Sequence, residues 1–115
     1  MASGIIEKVI SDSGTNYCKM PDGTLIQWGY SIPGYANPNI ATSRITFPIA
    51  FTAQPSVCLT VGDAQHAFQE LAANAKVGSL TKNAFTISYQ DPAGQFQSDG
   101  SYIKPIYWLA IGRWK

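Results

Sequence analysis

Charge is scarce in this chain. Only 13% of its 115 residues are Asp, Glu, Lys or Arg, about half the share of an ordinary soluble domain. Eight basic residues against seven acidic ones leave a formal charge of +1. No basic stripe forms, because Lys76 and Lys82 stand apart and Lys104, Arg113 and Lys115 fall in a strand-like tail. Tight nucleic-acid binding draws on several phosphate contacts, so nucleic acid is set aside as a partner. Cysteine is also rare. Cys18 and Cys58 cannot build a disulfide framework and read as half-buried free thiols made in a reducing cytosol. His66 is the single histidine, too few for a metal site of three or four ligands in one chain. Neither metal nor cofactor is expected, and His66 reads as an exposed loop residue. Met1 to Ile10 lacks the basic cluster and apolar run of a signal peptide. The longest apolar run, Ile106 to Ile111, is far short of the roughly 20 residues that span a bilayer, so no membrane insertion is expected. Phosphate loop, Gly-x-Ser-x-Gly elbow and Cys-x-x-Cys pair are all missing, and the chain does not read as an enzyme.

What is present is a folded, strand-forming domain. Apolar residues make up 45%, and a chain this long buries roughly two-thirds of its extended surface. Pro21-Asp22-Gly23-Thr24 is a strong turn, since Pro presets φ and Gly accepts positive φ; it joins Asn16–Met20 to Leu25–Gly29 as a hairpin. Residues 30–43, with Pro33, Gly34 and Pro38, read as a long surface loop. Arg44–Phe47 alternates, Pro48 interrupts, and Ile49–Phe51 resumes at a sheet edge or bulge. In Ser56–Val61, residues Val57, Leu59 and Val61 share one face. Residues 63–76 place Ala64, Ala67, Phe68, Leu71, Ala72 and Ala75 at helical spacing behind Asp63, and predict a short helix or irregular loop. Val77–Thr81 then reads as a strand turning at Lys82-Asn83.

Ala84–Gln90 puts Phe85, Ile87 and Tyr89 on one face, and Asp91-Pro92-Ala93-Gly94 matches a type I turn. A polar loop leads to a long closing strand, Ser101–Trp114. There Ile106, Trp108 and Ala110 face one way while Tyr107, Leu109 and Ile111 face the other. Grease on both faces means both are covered, so a central strand with a partner subunit on its outer face is expected. Trp28 and Trp108 read as core. The pattern as a whole predicts an all-β protein, an antiparallel β-sandwich of about six strands over residues 17–115, with 1–16 as a linker.

Two polar regions are candidates for contact with a ligand. Residues 30–43 offer Tyr30, Tyr35, Asn37 and Asn39. Residues 89–102 offer Gln90, Asp91, Gln95, Phe96, Gln97 and Asp99. Amides and carboxylates bond to hydroxyls, and flat rings pack on the apolar face of a sugar. The plainer reading is that such residues only make loops polar. Asp91 and Asp99 match the carboxylate pair of glycosidic cleavage in residue type only; as turn residues they are ordinary and wet.

Several blocks, taken in order, resemble a known family. They are Tyr17-Cys18-Lys19-Met20-Pro21-Asp22-Gly23-Thr24-Leu25-Ile26-Gln27-Trp28-Gly29, Thr46-Phe47-Pro48-Ile49-Ala50-Phe51, Ala84-Phe85-Thr86-Ile87 and Tyr107-Trp108-Leu109-Ala110-Ile111-Gly112. Their order and spacing resemble the C-terminal tip domain of phage and prophage tail fibres. The resemblance implies an H-type lectin-like sandwich, a homotrimer, whose assembly would cover the outward Tyr107, Leu109 and Ile111, and a place at the distal end of the virion's tail fibre after synthesis in the host cytoplasm. It also implies a bacterial surface partner: a glycan such as lipopolysaccharide or capsule, or an outer-membrane protein, bound besides the remainder of the fibre. The alternative is a trimerisation cap that binds no receptor. The alanine-rich segment 64–75 departs from the family pattern, and no single binding residue carries over from its motifs.

Overall fold

The computed structural model describes residues 12–14, 16–62 and 71–115. His66, the Asp63 cap, the first part of the expected helix and residues 1–11 of the expected linker lie outside them. Nine strands are described: β1 Asp12–Gly14, β2 Tyr17–Lys19, β3 Thr24–Ser31, β4 Gly34–Asn37, β5 Ile40–Thr46, β6 Ser56–Val61, β7 Ala72–Ala75, β8 Ala84–Gln90 and β9 Ile106–Arg113. They form two antiparallel sheets, ordered β1-β2-β3-β9-β6 and β4-β5-β8-β7. The protein is an all-β antiparallel sandwich, with no helix among the described residues. The strand count exceeds six because β1, β4 and β7, only three or four residues long, add to the expected strands.

Inward-facing alternate residues fill the space between the sheets. Leu25, Ile106, Trp108 and Ala110 from one side meet Ala41, Ile45, Phe85, Ile87 and Tyr89 from the other, and all are buried. Phe47, Phe51, Phe85 and Trp108 interlock at one end, with Phe47 edge-on to Phe51 at 4.9 Å. Such offset and edge contacts add to simple burial.

One inward position is polar. Gln27 is fully buried, and its amide grips the backbone of Ile49 in both directions: Nε2 donates to the carbonyl at 2.7 Å and Oε1 accepts from the N–H at 2.9 Å. The segment expected to resume as a strand after Pro48 is not one. Pro48 has no N–H for a ladder, so a side chain takes the place of the missing strand partner.

Four further expectations are corrected. Residues 30–43 are not a loop: β3 runs on to Ser31, and β4 and β5 make a hairpin about Pro38-Asn39, with a bulge between Tyr35 and Asn37. The Asn37 carboxamide accepts the Asn39 N–H at 2.9 Å and closes that turn. Residues 72–75 are a strand paired with β8, not helical, while Val77–Thr81 is a turn. Gly78 at φ +79° reverses the chain there, a conformation that a side chain resists. Trp28 is not core. It lies on the outer face of β3, 40% exposed, whereas Trp108 is buried as expected. Cys58 is exposed and Cys18 half-buried, both with free thiols.

β9 is the central strand of its sheet, paired over its whole length with β3 and with β6 from Ile106 to Ile111. Chain direction gives the sandwich two distinct ends. Asp12 pairs with Lys19 beside the Pro21–Gly23 turn, where the Trp114 indole N–H donates to the Met20 carbonyl. The Pro38-Asn39 turn and the 91–105 connection lie at the opposite end, where β8 stops and β9 starts.

Candidate functional site

The polar candidates converge at that opposite end. The Asp91 N–H donates to the Asn39 carbonyl at 2.9 Å, the Asn39 carboxamide donates to the Asp91 carbonyl at 2.9 Å, and the Phe96 N–H donates to the Pro38 carbonyl. Two connections that are 52 residues apart in sequence are thereby tied into one surface. Phe96 is buried beneath it, its ring 5.1 Å from that of Tyr89.

Asn37, Asn39, Gln90, Gln95, Gln97 and Asp99 surround this joint, but they do not have equal freedom. Asp91 is buried, contrary to the wet turn residue that the sequence suggested. Its two oxygens accept the N–H groups of Ala93 and Gln95 at 2.9 and 3.0 Å, so it shapes the loop from within. Gln90 donates to Asn74 Oδ1 at 2.6 Å and to Ser88. Gln97 and Asp99 are exposed. The Ser101 hydroxyl and N–H beside Asp99 hold its carboxyl below the usual carboxylate range. Tyr89, under the loop, has a phenol pushed up to about 12 by burial and by the Asp91 charge. Its hydroxyl is the one fully buried side-chain polar atom among the described residues that lacks a hydrogen bond.

Tyr35 is exposed on β4. Tyr30 is elsewhere altogether. It projects from the outer face of β3 opposite Tyr107, their rings 5.8 Å apart. Trp28 likewise stands opposite Leu109, and Ile26 opposite Ile111. The β3 and β9 part of the outer face is therefore a continuous apolar strip, with Trp28, Tyr30, Tyr107, Leu109 and Ile111 each 39–66% exposed, flanked on β6 by the exposed Ser56, Cys58 and Thr60. Sequence reading found the β9 half of this surface. It missed the β3 half, although the alternation of Ile26, Trp28 and Tyr30 along a hairpin strand carried the signal. No group of three or more His, Cys, Asp or Glu that could hold a metal occurs among the described residues. Those residues include no helix long and apolar enough to cross a membrane.

A model of the family described as "Putative tail fiber protein gp53-like, C-terminal" matches residues 19–113. The chain belongs to this family. Its match begins in β2 and ends in β9, so it takes in the sandwich and both surfaces just described. The fold of this tail fibre domain is shared with two solved structures. One is the C-terminal part of the P. aeruginosa R1 pyocin fibre, at 23% identity and a TM-score of 0.64, covering 88% of this chain and 27% of that one. The other is an N-truncated R1-type pyocin tail fibre, at 22% identity and a TM-score of 0.63, covering 97% of this chain and 96% of that one. The chain thus spans about a quarter of the first structure and nearly all of the second. No curated protein matches it.

Proposed function

We propose that this tail fibre domain is a receptor-binding tip. It attaches its particle to a bacterial surface glycan or outer-membrane protein, and it works as a homotrimer joined through the outer face of the five-stranded sheet. The observation that carries the reading is the polarity of the sandwich. The polar surface built by residues 37–39 and 90–99 is at the end remote from Asp12, where the chain enters the described fold. A surface at that end faces outward when the domain terminates a fibre. Its joint is fixed by backbone hydrogen bonds, so little order would be lost when a ligand binds.

The trimer supplies the remainder. A contiguous patch of five large apolar side chains is rarely left open on a monomer. Three sites on one rigid head would also convert weak contacts into useful avidity, by about 10² to 10⁴ for a linked second contact. No catalytic step belongs to this reading. A general acid works with a raised pKa near neutrality, whereas the Asp99 carboxyl is lowered and Asp91 is engaged by two backbone donors.

One observation favours the alternative of a structural cap: Asn39, Asp91 and Gln90 already use polar atoms inside the protein. Replacing residues 37–39, and separately 95–99, with Gly-Ser turns in the assembled fibre separates the two. Adsorption to bacteria falling at least tenfold with either replacement supports the tip. Undiminished adsorption with both replaced would make the domain a cap.

A further inference from the structure

An open groove of about 330 Å³ runs along the flank of the sandwich, between the second half of β3 and the end of β5. Neither the distal loops nor the flat outer face accounts for it. Its lining includes Asn16, Trp28, Gly29, Tyr30, Arg44 and Trp108. The strand order explains why it is open. β2 covers β3 only as far as Gln27 and β4 covers β5 only as far as Thr42, so both strands have bare edges beyond those points.

Two features of the lining call for a ligand of a definite kind. Trp108 is only 7% exposed, yet its indole N–H has no acceptor among the described residues. It is not among the fully buried unpaired atoms, so it reaches the groove surface. Gly29 permits this placement, because a Cβ there would sit 2.9 Å from the indole Nε1 and Cζ2. At the floor of an open groove this donor is left to water, which an incoming oxygen can replace. The second feature is Arg44, which is exposed and has no hydrogen bond, ion pair or ring contact among the described residues. Arg113, by contrast, has its guanidinium bonded to the carbonyls of Asp22 and Lys115. The far wall is fixed by Asn16, which exchanges two hydrogen bonds with the Trp28 backbone, one through its carboxamide at 2.7 Å and one through its carbonyl at 3.1 Å. The Asn16 Oδ1 remains as an acceptor.

We propose that this groove is a second binding site, for a sugar ring that carries a carboxylate or a phosphate. The Arg44 guanidinium takes the anionic group, a charge-assisted contact stronger than a neutral one. The Trp108 N–H donates to a ring or hydroxyl oxygen; Trp28 and Tyr30, whose outward faces belong to the surface proposed to meet a neighbouring copy, border the groove and give the C–H side of the ring only the edges that line it. The class of ligand rests on the receptor-binding reading; the place does not, because none of the residues replaced in the adsorption test lines the groove.

The test is an NMR titration of the 115-residue chain in its native assembly, following its three indole N–H signals at constant ionic strength. Glucuronic acid, glucose 6-phosphate and glucose are the probes. The groove predicts that the acid, the phosphate or both move the Trp108 and Trp28 signals and leave Trp114 still, with binding near millimolar strength, while glucose binds at least tenfold more weakly. The responding anion identifies the source as an acidic sugar or a phosphorylated one. Arg44→Gln, an exposed position, weakens that response by about 10- to 100-fold, the range for losing a hydrogen bond to a charged group. Silence of the Trp108 signal toward both anions overturns the proposal, and so does an Arg44→Gln titration that matches the parent. A groove covered by a neighbouring copy gives the same silence. If adsorption is loop-dependent while the titration is silent, the groove fails and the tip reading stands. If the titration succeeds while adsorption ignores the loops, the groove stands and the distal site fails.

Discussion

Single residues decide how the irregular parts of this sandwich are held. Gln27 stands where β3 would otherwise present an apolar side chain, and it supplies both the donor and the acceptor that Ile49 lacks after Pro48. Gln27→Leu keeps the volume but strands two part-buried backbone groups, at about 1–2 kcal/mol each. A loss of about 2–4 kcal/mol is expected, read as a lower urea midpoint at unchanged slope. Tyr89 gives the opposite case, because its buried hydroxyl has no partner. Tyr89→Phe removes an unmet polar atom and is expected to leave stability unchanged or raise it by up to about 1 kcal/mol. The same phenol predicts alkaline behaviour. Its folded pKa of about 12 lies above the ordinary phenol value of 10.0, so its neutral form favours the fold below pH 10 and that contribution is lost as pH rises from 10 towards 12. Melting curves across this window should drop in the parent more steeply than in Tyr89→Phe. Equal slopes would remove Tyr89 as the cause.

At the scale of elements, alternation made β3, β6, β8 and β9 legible in the sequence, because each has one face in the core and a residue period of two. The turns at 21–23 and 91–94 were legible for a related reason, since Pro, Asp and Gly stand at the positions that turn geometry prefers. What escaped notice were the short strands β4 and β7. β4 is exposed along its whole length, so it carries no alternation to read. β7 is built of alanine and asparagine, whose spacing fits a helix as well as a strand, and only its pairing with β8 decides the matter. The joint between the Pro38-Asn39 turn and the 91–105 connection escaped for a different reason: it is made by backbone atoms and by Asp91 buried beneath them, and no composition rule separates a buried turn aspartate from a wet one. Asp91→Ala leaves the N–H groups of Ala93 and Gln95 without their acceptor. It is expected to cost about 2–4 kcal/mol and to speed amide exchange in 92–97 and in the 38–39 turn together. Faster exchange in only one of them would show that the joint is not cooperative.

For the whole molecule, the feature with the largest consequence is the outer face of the five-stranded sheet. Sequence alternation pointed to its β9 half through Tyr107, Leu109 and Ile111, and register pairing adds Ile26, Trp28 and Tyr30 alongside. The same alternation could not say which of the two faces of β3 met the core, and Trp28 was misplaced for that reason. On the proposed trimer, scarce charge has a physical reading, because a surface that meets a neighbouring copy is depleted of charged residues at its centre. Burying a large aromatic or aliphatic side chain contributes about 1.5–3 kcal/mol, and each copy brings five that are partly open. Leu109→Lys at the middle of the patch should therefore separate the copies while leaving each sandwich folded. The direct measurement is the solution mass of the parent chain by light scattering at micromolar concentration. Trimeric assembly predicts a species of three times the 12.5 kDa chain mass, reduced to one chain in Leu109→Lys. A parent that stays at 12.5 kDa, with Tyr107, Leu109 and Ile111 open to water, would contradict it.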